Sequence, residues 1–358
     1  MPQTPAYCER PLAVRCGALG DMVLLTALIR MLHARFRSPV DIVTSGPWSE
    51  PLLRGQPGVG EIWSMRSRKT PYWLSAGQRF VVQRLRARGA GPTWYCDGSA
   101  AARPLLARAG IPTEFIVDVK DHPLLPGEHA TEQWLRLAQI MPAAIDAPAG
   151  GAECAAVAPG CCLQVSERQR IDLEAWARLR GFAAVPLILI QAGNKRTMRR
   201  GLRRLAVNHK YWPIERWAEV LRHVRLHCPH HAIVLLGTGP EYGLNQEVAA
   251  LADLERVYNV ADDLPISRLV ALLARAAGLI TVDSGPAHAA AAVGCPLVVL
   301  FGKALPSLYR PWGTAGSDVK VVIGQVAGEP DMLGIETRSV IAAWSALRLR
   351  SGNGSGKG

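Results

Sequence analysis

Short apolar, β-branched runs alternate with longer amphipathic ones along most of this chain, and no other feature constrains its fold as tightly. "PLAVR" (11–15), "VDIVTS" (40–45), "EIWSM" (61–65), "TWYCD" (93–97) and "EFIVDV" (114–119) read as strands. Helical periodicity covers 21–36, 78–88, 101–109 and 130–141 between and after them. Strands that alternate with helices pair in parallel, because each helix returns the chain to the edge it started from. Residues 142–160, rich in Ala, Pro and Gly, break the pattern and read as an interdomain linker. The alternation then restarts. Strands are expected at 186–191, 232–237, 256–260, 278–283 and 296–302, with helices at 166–180, 214–227, 241–252, 265–276 and 285–293. A last helix, 336–349, has no strand after it. The 358 residues therefore predict two Rossmann-like, doubly wound α/β domains, 1–155 and 156–335, facing a central cleft. A C-terminal helix (336–350) and a Gly/Ser-rich tail (351–358), expected to be disordered, complete the chain.

Charge narrows the partners. Lys plus Arg is 41 against 29 Asp plus Glu, a net +12, which favours an anionic partner: nucleic acid, an acidic membrane surface or a phosphorylated substrate. Neither a transmembrane run nor a signal peptide is expected. The eight cysteines are scattered without zinc or disulfide spacing, so they read as free thiols in a reducing cytoplasm.

Ligands of such sheets bind at the carboxyl ends of the strands, and unusual residues fall at four of them. After strand 11–15, Gly17 and Gly20 permit close approach of a ligand and Asp21 opens a helix with no other acid. That carboxylate reads either as a dipole-favoured helix-start residue or as a general base for a sugar hydroxyl. After strand 278–283 comes "DSGPAH" (283–288). Pro286 near N1 starts a helix whose free amides make an anion site. Capping explains Asp283 or Ser284, but not His288 in a helix otherwise built of Ala and Val. After strand 186–191 an Arg-rich loop, 194–210, ends in Lys210, just before the helix start "YWPIERW". It lacks the interleaved aromatics of a single-strand nucleic-acid binder, so a diphosphate is the better partner. After strand 232–237, "GTGPEYG" (237–243) is a poor dinucleotide fingerprint and reads as a tight turn that presents Glu241 at a helix start, where it could accept hydrogen bonds from a ribose. In the first half, Arg66, Arg68 and Lys69 follow a strand and suit an anionic acceptor, while Arg79, Arg84, Arg86 and Arg88 read as a solvated helix face.

Together these residues resemble the ADP-heptose:lipopolysaccharide heptosyltransferase family, glycosyltransferase family 9. Its N-terminal pattern is matched by Arg15, Gly17, Gly20 and Asp21, its C-terminal hallmark by "DSGPAH", and its Lys before a Trp-Pro helix start by Lys210 in "KYWP". The resemblance runs from about residue 10 to 315. It implies a GT-B fold and an inverting, metal-independent transfer with no cofactor. Asp21 would deprotonate the acceptor, and Lys210 would neutralise the leaving diphosphate. The amides around Ser284 and Gly285 would assist, Asp283 and His288 would hold sugar and phosphate, and Glu241 would bind the ribose. It implies ADP-heptose as donor, an anionic lipopolysaccharide-core acceptor, and a cytoplasmic protein peripheral to the inner membrane. Ala27, where the family commonly has Pro, and the long loop 194–210 depart from the pattern. The alternatives are another nucleotide sugar on the same fold, a GT-B epimerase, and a non-catalytic binder of anionic glycolipid or nucleic acid. The pairing of Asp21 with "DSGPAH" argues against the binder, since anion binding has no use for a carboxylate.

Overall fold

A computed structural model describes residues 7–145, 157–194, 208–314 and 316–350, with the backbone of 198–199 and 202–203. Most of the expected linker, most of the Arg-rich loop and the whole tail 351–358 lie outside the described residues. The chain forms two compact units, Met1–Gln164 and Val165–Gly358.

In the first unit the strands are β1 (Leu12–Arg15), β2 (Val40–Ser45), β3 (Val59–Met65), β4 (Thr93–Tyr95) and β5 (Ile116–Asp118). The helices are α1 (Leu19–Phe36), α2 (Ser49–Leu53), α3 (Ala76–Arg88), α4 (Arg103–Ala109) and α5 (Ala130–Gln139). All sheet pairings are parallel, in the order β3-β2-β1-β4-β5. Helix α1 is buried almost continuously from Met22 to Leu32, because it lies between the sheet and α5 rather than on a wet surface. Residues 157–164 are pinned to the same unit. Arg30 donates to the Ala158 and Gly160 carbonyls at 3.1 and 3.2 Å, and Gln56 exchanges hydrogen bonds with the backbone of Gln164 at 2.9 and 2.7 Å.

Arg88 does not belong to a solvated face, as its helix pattern suggested. Its side chain is 4% exposed, and its Nε donates to Asp41 Oδ2 at 3.1 Å. Asp41 also accepts from Arg10 and from the Glu61 amide. The pairing spans 47 residues, which helical periodicity cannot register.

In the second unit helix α6 (Glu167–Arg180) leads to β6 (Leu187–Gln191). A two-residue pair, β7 (Met198–Arg199) and β8 (Leu202–Arg203), precedes α7 (Ile214–His227) and β9 (Ala232–Leu235). Then follow α8 (Tyr242–Ala252), β10 (Val257–Asn259), α9 (Ile266–Arg275) and β11 (Gly278–Val282). Next come α10 (Gly285–Ala292), β12 (Leu297–Phe301), α11 (Pro306–Tyr309), β13 (Val319–Ile323) and α12 (Thr337–Ser345). The large sheet is again wholly parallel, in the order β10-β9-β6-β11-β12-β13. Strand β13 goes beyond the sequence reading, which ended the sheet at 296–302. It is an edge strand with mostly half-buried side chains, so it lacks the continuous apolar signature of its neighbours. Helix α12 buries Val340 and Trp344 against this unit's core. No helix among the described residues is long and apolar enough to cross a membrane.

The buried Arg88–Asp41 pair gives a stability test. Asp41→Ala leaves a guanidinium buried without its counter-charge and is expected to destabilise the fold by about 3–5 kcal/mol. The urea midpoint should fall with the slope unchanged. An exposed-site control, Arg54→Ala, removes only a surface helix pair and should leave the midpoint nearly unchanged.

Candidate active site

Each large sheet has one point where strand order reverses, and a crevice opens there beyond the strand ends. In the first unit the chain moves from β1 outward to β2 and β3, then returns to β4 on the other side of β1. Asp21 follows β1 directly. It sits in the first turn of α1, where its Oδ2 accepts from the Ala18 amide at 2.7 Å and its Oδ1 from Arg15 Nη2 at 2.7 Å. The helix-start reading is therefore realised, and one lone pair on each oxygen remains. The side chain is still 36% exposed, so a substrate hydroxyl can reach it.

Arg15 fixes that carboxylate. Its Nη1 donates to the Cys96 carbonyl at the end of β4 at 2.5 Å, and its guanidinium lies 5.3 Å from the Trp134 ring of α5. Gly17 has a function the sequence reading assigned to ligand approach alone. A Cβ there would lie 2.4 Å from Asp21 Cβ and 2.7 Å from its Oδ2. The glycine makes room for the acid itself, and a rotation of the Asp21 side chain could not relieve the Cβ contact. Gly20 is the second residue of α1.

The acceptor candidates divide. Arg68 is committed within the protein, donating to Asp97 Oδ2 at 2.6 Å and to the Cys16 carbonyl. It anchors the loop after β3 to the ends of β1 and β4. Arg66 and Lys69 are exposed. Asp97 is 3% exposed and was missed as a site residue, although "TWYCD" placed it at a strand end. Burial raises the thiol of neighbouring Cys16 to about 11, which leaves it an unreactive wall residue.

In the second unit the reversal lies at β6, flanked by β9 and β11. The sequence candidates gather at these three strand ends. Lys210 Nζ donates to Asp283 Oδ2 at 2.6 Å and to the Asp283 carbonyl at 2.7 Å. The lysine is held by its flanks. Trp212 is fully buried, donates to the Ile335 carbonyl at 3.0 Å and meets the Trp217 ring edge-on at 5.0 Å. A Cβ on Gly302 would stand 2.3 Å from the His209 carbonyl, so this glycine lets the lysine's segment lie against β12.

Ser284 is the N-cap of α10 but does not cap it. Its hydroxyl donates to Gln191 Oε1 at 2.8 Å, and Gln191 also accepts from Thr281 at 2.9 Å. The first amides of α10, beginning at Gly285, are thus left without the usual side-chain acceptor. His288 lies one turn in and is 7% exposed. Gln191 has no charge and no motif to flag it, and only its partners reveal its place.

Glu241 completes the cluster from the β9 side. Its Oε2 accepts from the Thr238 amide at 2.9 Å and the Thr238 hydroxyl at 2.7 Å. Oε1 is buried and has no hydrogen-bond partner among the described residues. It faces Gly193, where a Cβ would intrude to 2.6 Å. Burial raises the Glu241 pKa against the lowering effect of the Thr238 bonds. Among the described residues no three His, Cys, Asp or Glu side chains gather as a metal cage.

Chemically, one switch point offers a fixed, half-exposed carboxylate. The other offers an ammonium, open helix-start amides and a carboxylate with one oxygen unmet. Known proteins share these features' setting. A model of glycosyltransferase family 9 (heptosyltransferase) matches residues 201–327. Lipopolysaccharide heptosyltransferase 2 of Salmonella typhimurium is 25% identical over 327 residues, 86% of either chain. The structure of Escherichia coli ADP-heptose LPS heptosyltransferase II superposes with a TM-score of 0.69 at 21% identity, covering 94% of this chain and 98% of that one. The family 9 glycosyltransferase of Veillonella parvula gives 0.73 at 18% identity, covering 94% and 97%. The two parallel-sheet units are those of the GT-B class, and the N-terminal Gly-Asp turn, the "DSGPAH" helix start and the matched second half agree with one another. Over residues 201–327 the chain matches glycosyltransferase family 9, it resembles the lipopolysaccharide heptosyltransferases along most of its length, and it is a glycosyltransferase.

Proposed function

We propose that this glycosyltransferase moves a heptose from ADP-heptose to a lipopolysaccharide-core acceptor in a single, inverting displacement without a metal. The observation that carries the reading is Asp21, a carboxylate held in place at a switch point and still open to solvent. Asp21 accepts the proton of the acceptor hydroxyl as that oxygen bonds to the anomeric carbon from the face opposite the leaving group. Negative charge then grows on the departing diphosphate. Lys210 and the first amides of α10, around Ser284 and Gly285, are fixed where they can meet that charge without reorganising. Asp283 orients Lys210 through their 2.6 Å pair and, with His288, holds the sugar and phosphate end of the donor. Glu241 Oε1 accepts from a ribose hydroxyl, which supplies the partner it lacks in the protein. Exposed Arg66 and Lys69 meet anionic groups of the acceptor, and Arg68 holds their loop. The reading puts the enzyme on the cytoplasmic side of a membrane that carries a lipid-linked acceptor, with no specific nucleic-acid partner.

Calorimetric titration with ADP, UDP, GDP and ADP-heptose, in EDTA, tests the donor. Binding of ADP and ADP-heptose alone is the expected result. A preference for UDP or GDP would replace the sugar nucleotide while keeping the fold.

Asp21→Asn separates base from helix-start residue, because the amide oxygen can still accept from Ala18. Turnover should fall by about 10²–10⁴-fold with ADP affinity nearly unchanged. Near-normal turnover would leave Asp21 a helix-start residue only.

Glu241 gives a pH test. Its raised pKa means the folded protein holds this proton more tightly than the unfolded chain does. Its contribution to stability therefore falls as pH rises from the unfolded carboxyl value through the raised folded value, and its full cost is carried above that. Glu241→Gln cannot titrate. From acid to neutral pH the variant should gain stability relative to the parent, while ADP binding weakens. Denaturant midpoints at several pH values, with and without ADP, measure both.

A further inference from the structure

Between Glu61 and Asp97 the chain contains no acidic residue and seven Lys or Arg. The fold divides these seven unequally. Arg68 and Arg88 are taken up by Asp97 and Asp41, and Arg84 lies 3.6 Å from Glu61. Arg66, Lys69, Arg79 and Arg86 make no ion pair among the described residues. The same segment carries a group of exposed large apolar side chains. Trp73 is 73% exposed, Leu74 60% and Phe80 49%.

These residues share one surface for a structural reason. Helix α3 buries Gln78, Val81, Val82 and Leu85, so its opposite face presents Arg79, Phe80, Arg84 and Arg86 to solvent. Trp73 and Leu74 form a single 3-10 turn immediately before it, joined through Ser75, whose hydroxyl accepts from the Gln78 amide at 3.2 Å. Arg79 Nη1 donates to the Trp73 carbonyl at 2.6 Å, which fixes the turn against the helix. The result is an amphipathic helix led by a Trp-Leu tip, with basic side chains around the apolar ones.

An exposed indole is a poor end for a folded chain in water and a good one at a lipid headgroup boundary, where its ring is half-solvated. Long basic side chains beside it would pair with anionic headgroups while their stems cover acyl surface. We propose that this face of the first unit, the 72–74 turn with the outer side of α3, docks the enzyme on an anionic phospholipid bilayer. The proposal deepens the lipid-linked acceptor reading above, because the docking surface follows directly on the 66–69 loop assigned to that acceptor. Its test involves no sugar transfer, so the two can fail separately.

The experiment is co-sedimentation of the full chain with vesicles of pure phosphatidylcholine and of phosphatidylcholine containing phosphatidylglycerol, over a range of salt. Binding to the anionic vesicles should be strong, fall with salt, and be weak on the neutral ones. A Trp73→Ser/Leu74→Ser/Phe80→Ser variant should bind at least tenfold more weakly, with an unchanged thermal melt. Arg84→Gln/Arg86→Gln should weaken binding by roughly fivefold per charge removed, and so serves as a second, independent variant. Equal sedimentation of the parent and both variants would overturn the proposal, as would a parent that ignores anionic vesicles. If the same substitutions abolished binding to a single-stranded oligonucleotide while vesicles were ignored, the face would be a nucleic-acid surface and the proposal would fall.

Discussion

Parallel strand pairing is the constraint from which the rest of this protein follows. Once every neighbour in a sheet runs the same way, every connection must cross over, and all strand ends of one kind collect along one edge. The first strand of each unit, β1 and β6, is placed centrally, with later strands added on both sides. The reversal this forces cannot be filled by a connecting loop, since the loops on its two sides diverge. Asp21 and the Lys210–Asp283 pair occupy these two edges. Their positions are consequences of strand order before they are consequences of local sequence.

Packing then converts approximate placement into fixed geometry. Trp212, buried under Trp217 and bound to the Ile335 carbonyl, stops the chain two residues after Lys210. Gly302 removes the one Cβ that would hold that segment away from the sheet. Gln191 takes the Ser284 hydroxyl, so that the helix start keeps its amides for something else. None of these groups needs to touch a substrate to matter. An ammonium or amide that must reorganise to meet charge stabilises it less than one already aimed.

The sequence was most legible where chemistry coincides with a strand end. Gly17, Gly20 and Asp21, and "DSGPAH", stood out because acids, glycines and a histidine break an otherwise apolar pattern at a place where the fold binds ligands. It was least legible where a residue acquires its role from a distant partner. Arg88 looked like its exposed helix neighbours until Asp41, far away in the chain, was seen to bury it. Arg68 stood out as a cation after a strand, and its pairing with buried Asp97 was invisible in the sequence. Gln191 gave no signal at all. Strand β13 escaped because an edge strand needs only one well-covered side. Glu241 was found through its Gly-rich turn, yet its unmet oxygen is a fact of packing that no spacing contains.

Arg15 has a mechanical consequence. One guanidinium joins the end of β1, the carbonyl after β4, the acid at the head of α1 and the indole of α5. With the Ala18 amide on its other oxygen, Asp21 is held from two sides, by the strand before it and by its own helix start. A carboxylate so held behaves as a fixed anvil. Whatever motion brings reacting atoms to bonding distance must be supplied by the substrates and by the softer segments that carry them.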